Sequence, residues 1–69
     1  MKTKIKRLRK EKRISQEMLA KAVGVTRQTI TSIENEKYTA SLLLAHKIAK
    51  YFDLTIEEVF DLNNIGEEE

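Results

Sequence analysis

The chain has 69 residues, of which 41% are apolar and 35% are charged, and it contains no cysteine. This length provides one small hydrophobic core, the composition is typical of a globular protein, and disulfide or thiolate sites are excluded. The longest apolar run, Leu42 to Ala45, is too short for a membrane span, and no apolar segment follows the basic N-terminus as a secretory signal requires. We therefore expect a cytoplasmic protein with one domain over residues 1–62 and an acidic tail over residues 63–69.

The charges are divided unequally along the chain. Residues 1–50 hold all 13 Lys and Arg residues and four of the 11 acidic residues, a formal charge of +9, whereas residues 51–69 hold the other seven acidic residues. Such a gradient indicates a basic surface that faces a polyanion, with the acidic end held away from it. A solvated basic face on the first helix would give the same numbers, so the gradient gains meaning only beside a motif.

Helical periodicity and capping residues predict five helices and no strand. Proline is absent and glycine occurs only at positions 24 and 66, so the usual signals for hairpins are missing. The apolar spacing and four N-cap residues place the helices at about 3–13, 15–23, 26–35, 41–52 and 55–62. The N-caps are Ser15, Thr26, Ser41 and Thr55, the last of which forms a capping-box pattern with Glu58. The expected inward stripe of the fourth helix is Leu42, Ala45, Ile48, Ala49 and Phe52.

Residues 15–34 are the most informative segment of the chain. Two short predicted helices meet at Gly24, which can supply the left-handed conformation that ends the first of them. The second helix has Ile30 and Ile33 on one face and hydrogen-bonding side chains on the other. This is the layout of a helix-turn-helix, whose second helix enters the DNA major groove. Arginine pairs well with guanine and glutamine with adenine, so the predicted base-reading set is Arg27, Gln28, Thr29, Thr31 and Ser32.

These segments resemble a known family, the small helix-turn-helix regulators of the XRE type related to the lambdoid phage repressors and Cro. The similarity covers about residues 3–60 and rests on three ordered motifs: KIKRLRKEKRISQEMLA, VGVTRQTITSIENEKY and SLLLAHKIAKYFDLTIEEVF. The resemblance implies an all-α domain of five helices, the lambda-repressor-like fold. It also implies double-stranded operator DNA as the ligand, usually bound by a dimer that represses transcription.

The resemblance further implies roles for individual residues. Gln16 matches a glutamine that contacts a phosphate and supports the reading helix, and Asn35 matches an asparagine near the DNA backbone. Arg9 and Glu34 match a buried ion pair that ties the first helix to the third. Helix N-termini also bind phosphate through free N–H groups. The predicted phosphate-binding set is Ser15, Gln16, Thr26, Asn35 and Lys37.

Three positions depart from the family pattern. Glu36 stands where glycine or asparagine is common, and Ala40 stands where proline often precedes the fourth helix. Both lie in a loop that is expected near the phosphate backbone, where Glu36 would repel DNA unless it turns away. Leu43 stands where a polar residue is usual, and we expect one of the three leucines at 42–44 to face outward.

A second copy of the chain is the expected protein partner. A domain of this size reads only a few base pairs, so specific binding usually requires a dimer. Apolar residues of the fourth and fifth helices that remain after the core is filled form the predicted dimer surface: Leu44, Tyr51, Phe60, Leu62 and Ile65. The alternative, that Tyr51 and Phe60 close the bottom of the core, is equally consistent with the sequence.

An enzymatic function or a bound cofactor has little support. His46 is the one histidine and has no cysteine or second histidine with which to hold a metal, and no Gly-rich loop is present for a nucleotide. Two hypotheses remain. The first is a dimeric, sequence-specific DNA-binding regulator, most simply a repressor of a palindromic operator. The second is a helix-turn-helix used as a protein-interaction module, such as an antitoxin or a bridging coactivator, with weak DNA binding.

Overall fold

A computed structural model describes residues 2–62 of the protein. Within that range the elements are β1 (Lys2–Thr3), α1 (Ile5–Lys12), α2 (Gln16–Val23), α3 (Arg27–Glu34), α4 (Leu42–Tyr51), α5 (Ile56–Val59) and β2 (Phe60–Asp61). Helix α2 packs against both α3 and α4, and α4 packs against α5. The expected all-α fold with five helices is confirmed. None of the helices in this range is long and apolar enough to span a bilayer.

The predicted N-caps fix where four of the helices begin. In each case the side-chain hydroxyl of the cap accepts a hydrogen bond from the backbone N–H three residues ahead, at Ser15, Thr26, Ser41 and Thr55. The Glu58 carboxylate also accepts from the Thr55 N–H at 2.8 Å, which completes the predicted capping box. These starts were visible in the sequence because a cap and the N–H that it satisfies lie within one turn of each other.

Helices α1 to α4 all end at a residue in the left-handed conformation. The φ angles are 58° at Arg13, 79° at Gly24, 62° at Glu36 and 60° at Asp53. In each case the N–H of the next residue donates to a carbonyl five residues back, as Lys37 does to Ser32 at 2.9 Å. This is the Schellman arrangement, which satisfies the last helix carbonyls. Glycine adopts the left-handed conformation without steric cost, so the other three ends store strain.

The hydrophobic core receives side chains from every helix and from β2. All the buried residues in the described range are apolar, and Ile5, Leu19, Ile30, Ile33 and Ile48 are completely inaccessible. The predicted stripe of α4 is correct except at its first member. Leu42 is 77% exposed, while Leu44 is only 8% exposed and lies one turn before Ile48. Two of the three consecutive leucines therefore face outward, Leu42 and Leu43, where one was expected.

The two ends of the described chain form a small sheet that the sequence did not predict. Lys2 pairs with Asp61 and Thr3 with Phe60 in antiparallel register, and the Lys4 N–H donates to the Val59 carbonyl at 2.7 Å. The predicted first helix is therefore wrong at residues 3 and 4, and the predicted fifth helix is wrong beyond residue 59. At residue 60 the backbone is extended, which buries the Phe60 ring in the core while the backbone polar groups bond across to β1.

Burial also corrects the predicted dimer surface. Leu44 is 8% exposed and Phe60 is 1% exposed, so both belong to the core of one copy and are not available to a second copy. For Phe60 the alternative interpretation, closure of the core, is the one that the structure supports. Tyr51 and Leu62 are each 39% exposed. Ile65 lies outside the described residues.

Candidate nucleic-acid interface

Helix α3 presents one apolar and one polar face. Ile30 and Ile33 are fully buried against the rest of the core, which fixes the rotation of the helix about its axis. Arg27 and Gln28, in the first turn, are exposed on the opposite side. The other three residues of the predicted base-reading set, Thr29, Thr31 and Ser32, are half-buried. All five residues are therefore at least partly accessible, and the most accessible side chains lie at the N-terminal end of α3.

The turn before α3 is held by backbone hydrogen bonds around Gly24. Its φ of 79° is the left-handed conformation, and the Val25 N–H donates to the Ala20 carbonyl at 2.9 Å. A Cβ atom built at Gly24 would meet no atom within 4 Å, so the need for glycine here is conformational rather than steric. Thr26 then caps α3 two residues later, so the connection between the two helices is short.

A shallow groove runs beside the polar face of α3. It is lined by Gln28 and Ser32 of the predicted base-reading set, by Thr26 and Thr29 at the helix start, and by Lys37 and Tyr38 from the following loop. Tyr38 is 48% exposed and belongs to neither predicted set. Its only signal in the sequence is an aromatic residue next to Lys37. An aromatic ring next to hydrogen-bonding side chains can contact sugars or bases.

A buried ion pair fastens α1 to the end of α3. The Arg9 Nε donates to one Glu34 oxygen at 2.6 Å, and the Arg9 Nη2 donates to the other at 3.1 Å. The two side chains are only 11% and 4% exposed, and Arg9 also donates to the Ile14 carbonyl at 3.1 Å. Two parallel bonds of this kind fix direction as well as distance. The geometry is that of the pair which the family resemblance implies.

Gln16 extends the ion pair into a network that joins three helices. Its amide nitrogen donates to Glu34 at 3.0 Å, and its amide oxygen accepts from the Thr31 hydroxyl at 3.0 Å. The first residue of α2 thus contacts α3 at two points one turn apart. One hydrogen of the amide group remains for another acceptor. Gln16 can therefore support α3 and donate to a phosphate at the same time.

The same network changes the expected role of Thr31. Its hydroxyl lies 3.0 Å from the Gln16 amide oxygen and 3.1 Å from the Arg27 carbonyl. A hydroxyl has one hydrogen to donate, and both acceptors are internal. Thr29 is also engaged, because its hydroxyl lies 3.1 Å from that of Thr26. Within residues 2–62, the polar side chains of α3 that make no hydrogen bond are those of Arg27, Gln28 and Ser32.

The predicted phosphate-binding residues lie at three helix ends. The Ser15 and Thr26 hydroxyls are engaged as N-caps, so a phosphate there would meet free N–H groups of the first helical turn rather than these hydroxyls. Asn35 and Lys37 are exposed at the end of α3, on either side of Glu36, which is exposed as well. The structure thus keeps a negative charge between two predicted phosphate contacts.

Most of the sequence is similar to known regulators. Residues 5–59 match the helix-turn-helix family. The chain is 53% identical over 60 residues to an uncharacterized HTH-type transcriptional regulator of Methanocaldococcus jannaschii, covering 87% of this chain and 91% of that protein. The identity and coverage are the same for YgzD, an uncharacterized HTH-type transcriptional regulator of Bacillus subtilis. For the control protein C.MunI of a Mycoplasma species the identity is 41% over 58 residues, covering 83% of this chain and 78% of that protein.

The family match runs from the first residue of α1 to the last residue of α5. It therefore includes the two helices of the motif, the turn at Gly24 and the internal network that positions α3. The relatives named above as transcriptional regulators match over nearly their whole length. This chain belongs to the XRE-type helix-turn-helix family and is a transcriptional regulator with a helix-turn-helix DNA-binding domain.

Proposed function

We propose that the protein is a repressor that binds a palindromic operator as a dimer, with α3 of each copy in the major groove. The observation that carries this proposal is the fixed presentation of α3. Its apolar face is buried, its end is bonded to α1 and α2 through Glu34 and Gln16, and its first turn projects Arg27 and Gln28 into solvent. A helix held at several points keeps its polar side chains in a defined geometry before DNA arrives, which lowers the entropic cost of binding.

Base reading is assigned to the three residues of α3 whose polar side chains make no hydrogen bond within residues 2–62. Arg27 is suited to guanine, whose O6 and N7 accept two parallel hydrogen bonds, and Gln28 is suited to adenine in the same manner. Ser32 lies one turn after Gln28 in the same groove and can bond to either kind of base. Thr29 and Thr31, whose hydroxyls already hydrogen-bond within the protein, would contribute their methyl groups, which can touch the methyl group of thymine.

Phosphate contacts are assigned to the ends of the helices around this face. The N-terminal turns of α2 and α3 offer free N–H groups, the remaining Gln16 amide hydrogen lies at the start of α2, and Lys37 and Asn35 lie beyond the end of α3. Such contacts fix the register of the domain on DNA but carry no sequence information. They also make the affinity fall as salt rises, because each one releases a counterion.

The dimer is proposed to form around Leu62, with Tyr51 and the predicted contact of Ile65 at its margin. Leu62 is a leucine at 39% exposure just after β2, at the acidic end of the chain. A contact there holds the acidic segments near the two-fold axis, and the two copies of α3 would enter half-sites about 34 Å apart, one turn of DNA. Occupation of an operator that overlaps a promoter is sufficient for repression. A DNA ligand would also place the protein with the nucleoid in the cytoplasm.

Selection of bound DNA from a random pool with the purified protein tests the proposal. We expect a palindromic motif with half-sites spaced by about 10 base pairs. Arg27→Ala should weaken binding to that motif by about 1–3 kcal/mol and relax the preference at one position of each half-site. Lys37→Ala is the matched control, since loss of a phosphate contact should weaken all sequences alike and reduce the salt dependence.

Three results would each contradict a part of the proposal. If Arg27→Ala weakened specific and nonspecific binding equally, Arg27 would not read a base. If no sequence were enriched and the DNA affinity were weak and strongly salt-dependent, the alternative of a protein-interaction module would be favoured. An enriched motif without two-fold symmetry would remove the dimer while leaving the reading helix in place.

A further inference from the structure

The outer side of α4 borders two surface grooves that meet at Lys47. One lies against the end of α2 and includes Lys21, Ala22 and Tyr51, and the other includes Val25 and Leu43. Both are lined by Gly24 and Lys47, so together they form one trough along two turns of α4. We refer to this trough as the α2–α4 groove. It contains none of the three side chains to which base reading is assigned, but at one end it shares Thr29 and Tyr38 with the groove beside the polar face of α3.

The α2–α4 groove exposes more apolar surface than its position requires. Leu43 is 64% exposed and Tyr51 is 39% exposed, although neither is needed to complete the core. With Lys47 between them they occupy positions i, i+4 and i+8, so they form a stripe on one face of α4 about 12 Å long. A stripe of this length matches two turns of a helix laid against it, with apolar side chains at the same spacing.

The charged side chains that line the groove are basic, and acidic residues begin beside it, at Asp53 and Glu57, which share a neighbouring hollow with His46 and Lys50. Lys21, Lys47 and Lys50 line the groove, together with His46, and none of the described residues that line it is acidic. Lys21 makes an exposed pair with Glu17 at 3.6 Å, whereas Lys47 and Lys50 have no ion-pair partner within residues 2–62. A ligand in this groove would therefore bind most tightly if it carried carboxylates beside its apolar side chains.

We propose that the α2–α4 groove is a docking site for an acidic amphipathic helix of another protein. Leu43 would pack against the apolar stripe of that helix, and Lys47 and Lys50 would pair with its flanking carboxylates. A second copy of this chain fits less well, because a two-fold contact through this face would bring the lysines of the two copies together. DNA phosphates would satisfy the lysines but would gain nothing from Leu43.

The probe for this site is a synthetic helical peptide of about 20 residues, long enough to retain helicity. It carries leucines at i, i+4 and i+8 and glutamates on both sides of them. Its binding to the full chain is measured by fluorescence anisotropy at about 0.15 M salt, where long-range attraction is largely screened. We expect saturable binding and NMR shift changes at the backbone amides of Ala22, Leu43 and Lys47.

Matched variants distinguish binding of the peptide in the groove from nonspecific electrostatic binding to a basic protein. Leu43→Ser and Lys47→Glu should each weaken peptide binding by about tenfold, a loss equivalent to one good contact. Leu42→Ser is the control for Leu43, because Leu42 is 77% exposed on the same helix but does not line the groove. Lys10→Glu, which makes the same charge change on α1, is the control for Lys47. Both controls should bind within about twofold of the unaltered protein. No variant alters Tyr51, which the groove shares with the proposed dimer contact.

Several outcomes would overturn the inference. Equal losses in Lys47→Glu and Lys10→Glu, or equal binding of a peptide with lysines in place of glutamates, would mean that the attraction has no defined site. A Lys47→Glu variant that lost DNA affinity without peptide present would assign the groove to DNA. Dissociation of a dimer by Leu43→Ser would assign it to a second copy. Since Leu43, Lys47 and their controls are all exposed, loss of folding is not expected, and circular dichroism verifies it for each variant.

Discussion

Arg9 and Glu34 lie 25 residues apart in the chain and meet through two hydrogen bonds, of 2.6 and 3.1 Å, at the point where α1 touches the end of α3. The same carboxylate receives the Gln16 amide of α2 at 3.0 Å. One acidic side chain, 4% exposed, therefore sets the position of three helices relative to one another. The orientation of α3 depends on this carboxylate as well as on the core beneath the helix.

Substitution of Arg9 should strongly destabilise the fold, because Arg9 is the counter-charge of the buried Glu34 carboxylate. Arg9→Met leaves the Glu34 carboxylate buried without a counter-charge, and we expect the free energy of unfolding to fall by about 3–5 kcal/mol, measured by urea titration with circular dichroism. Arg7→Met is the control on the same helix. Arg7 pairs with Glu11 at 3.7 Å, but both side chains are more than 60% exposed, so the loss should be below about 1 kcal/mol.

The double variant Arg9→Met/Glu34→Leu separates the effect of a stranded charge from the net value of the pair. Apolar side chains of similar size often replace a buried pair at little cost, so most of the lost stability should return. Equal losses in Arg9→Met and Arg7→Met would contradict the assignment of Arg9 to a buried brace.

Thr31 tests which polar side chains of α3 stabilise the fold and which contact DNA bases. Thr31→Val removes the hydroxyl that bonds to Gln16 but keeps the shape of the side chain. We expect a loss of about 1 kcal/mol in stability, the value of one internal hydrogen bond, and no change in the base preference found by DNA selection. Gln28→Ala should do the opposite, with altered base preference and unchanged stability. A changed preference in Thr31→Val would show that this hydroxyl reaches a base after all.

The predicted helix bounds agree with the structure to within one residue, except at the start of α1 and the end of α5, but the signals that mark starts and ends in the sequence differ in kind. A cap such as Ser15 or Thr55 satisfies an N–H within one turn, so its signal is local. The ends of α1, α3 and α4 lie at Arg13, Glu36 and Asp53, residues that carry no sequence signature of the left-handed conformation. Only the end of α2 carries a residue that marks this conformation in the sequence, because glycine, here Gly24, is the residue type that it favours.

Contacts between residues far apart in the chain are the second kind of feature that could not be predicted from the sequence. The pairing of Thr3 with Phe60 joins the two ends of the chain, and no local pattern indicates it. The amphipathic spacing of α3 predicted which side Arg27 and Gln28 occupy, since the burial of Ile30 and Ile33 decides that. It could not show that the Thr31 hydroxyl is bonded to Gln16, because that bond depends on how α2 and α3 pack.

Glu36 adopts the left-handed conformation after the end of α3, and replacing it with glycine should stabilise the protein. A non-glycine residue pays about 1–2 kcal/mol in the left-handed conformation, of which the extra flexibility of glycine in the unfolded chain cancels part. Glu36→Gly should therefore raise the free energy of unfolding by about 0.5–1 kcal/mol and the melting temperature by a few degrees. Glu36→Gln, which keeps the strain but removes the charge, should leave stability nearly unchanged.

The two variants also separate conformation from charge in DNA binding. Under the proposed function, Glu36 lies between phosphate contacts, so both variants should raise the affinity for all sequences and by similar amounts. A gain in Glu36→Gly alone would mean that the shape of the loop matters and that the charge points away from DNA. A stability loss in Glu36→Gly would contradict the assignment of strain at this residue.

Phe60 and Leu62 lie two residues apart, but their substitution should have different effects, on the stability of the fold and on the proposed dimer respectively. Phe60 is 1% exposed, so Phe60→Ala should cost about 3–5 kcal/mol of stability through the cavity that it leaves, whatever the protein concentration. Leu62 is 39% exposed, and Leu62→Ser should leave the stability of the isolated copy nearly unchanged while weakening the proposed dimer. Sedimentation velocity over a range of concentrations measures the second effect, and thermal unfolding at a low concentration measures the first. An unchanged dimer in Leu62→Ser would remove this residue from the proposed contact and direct the search to the other exposed apolar side chains of α4.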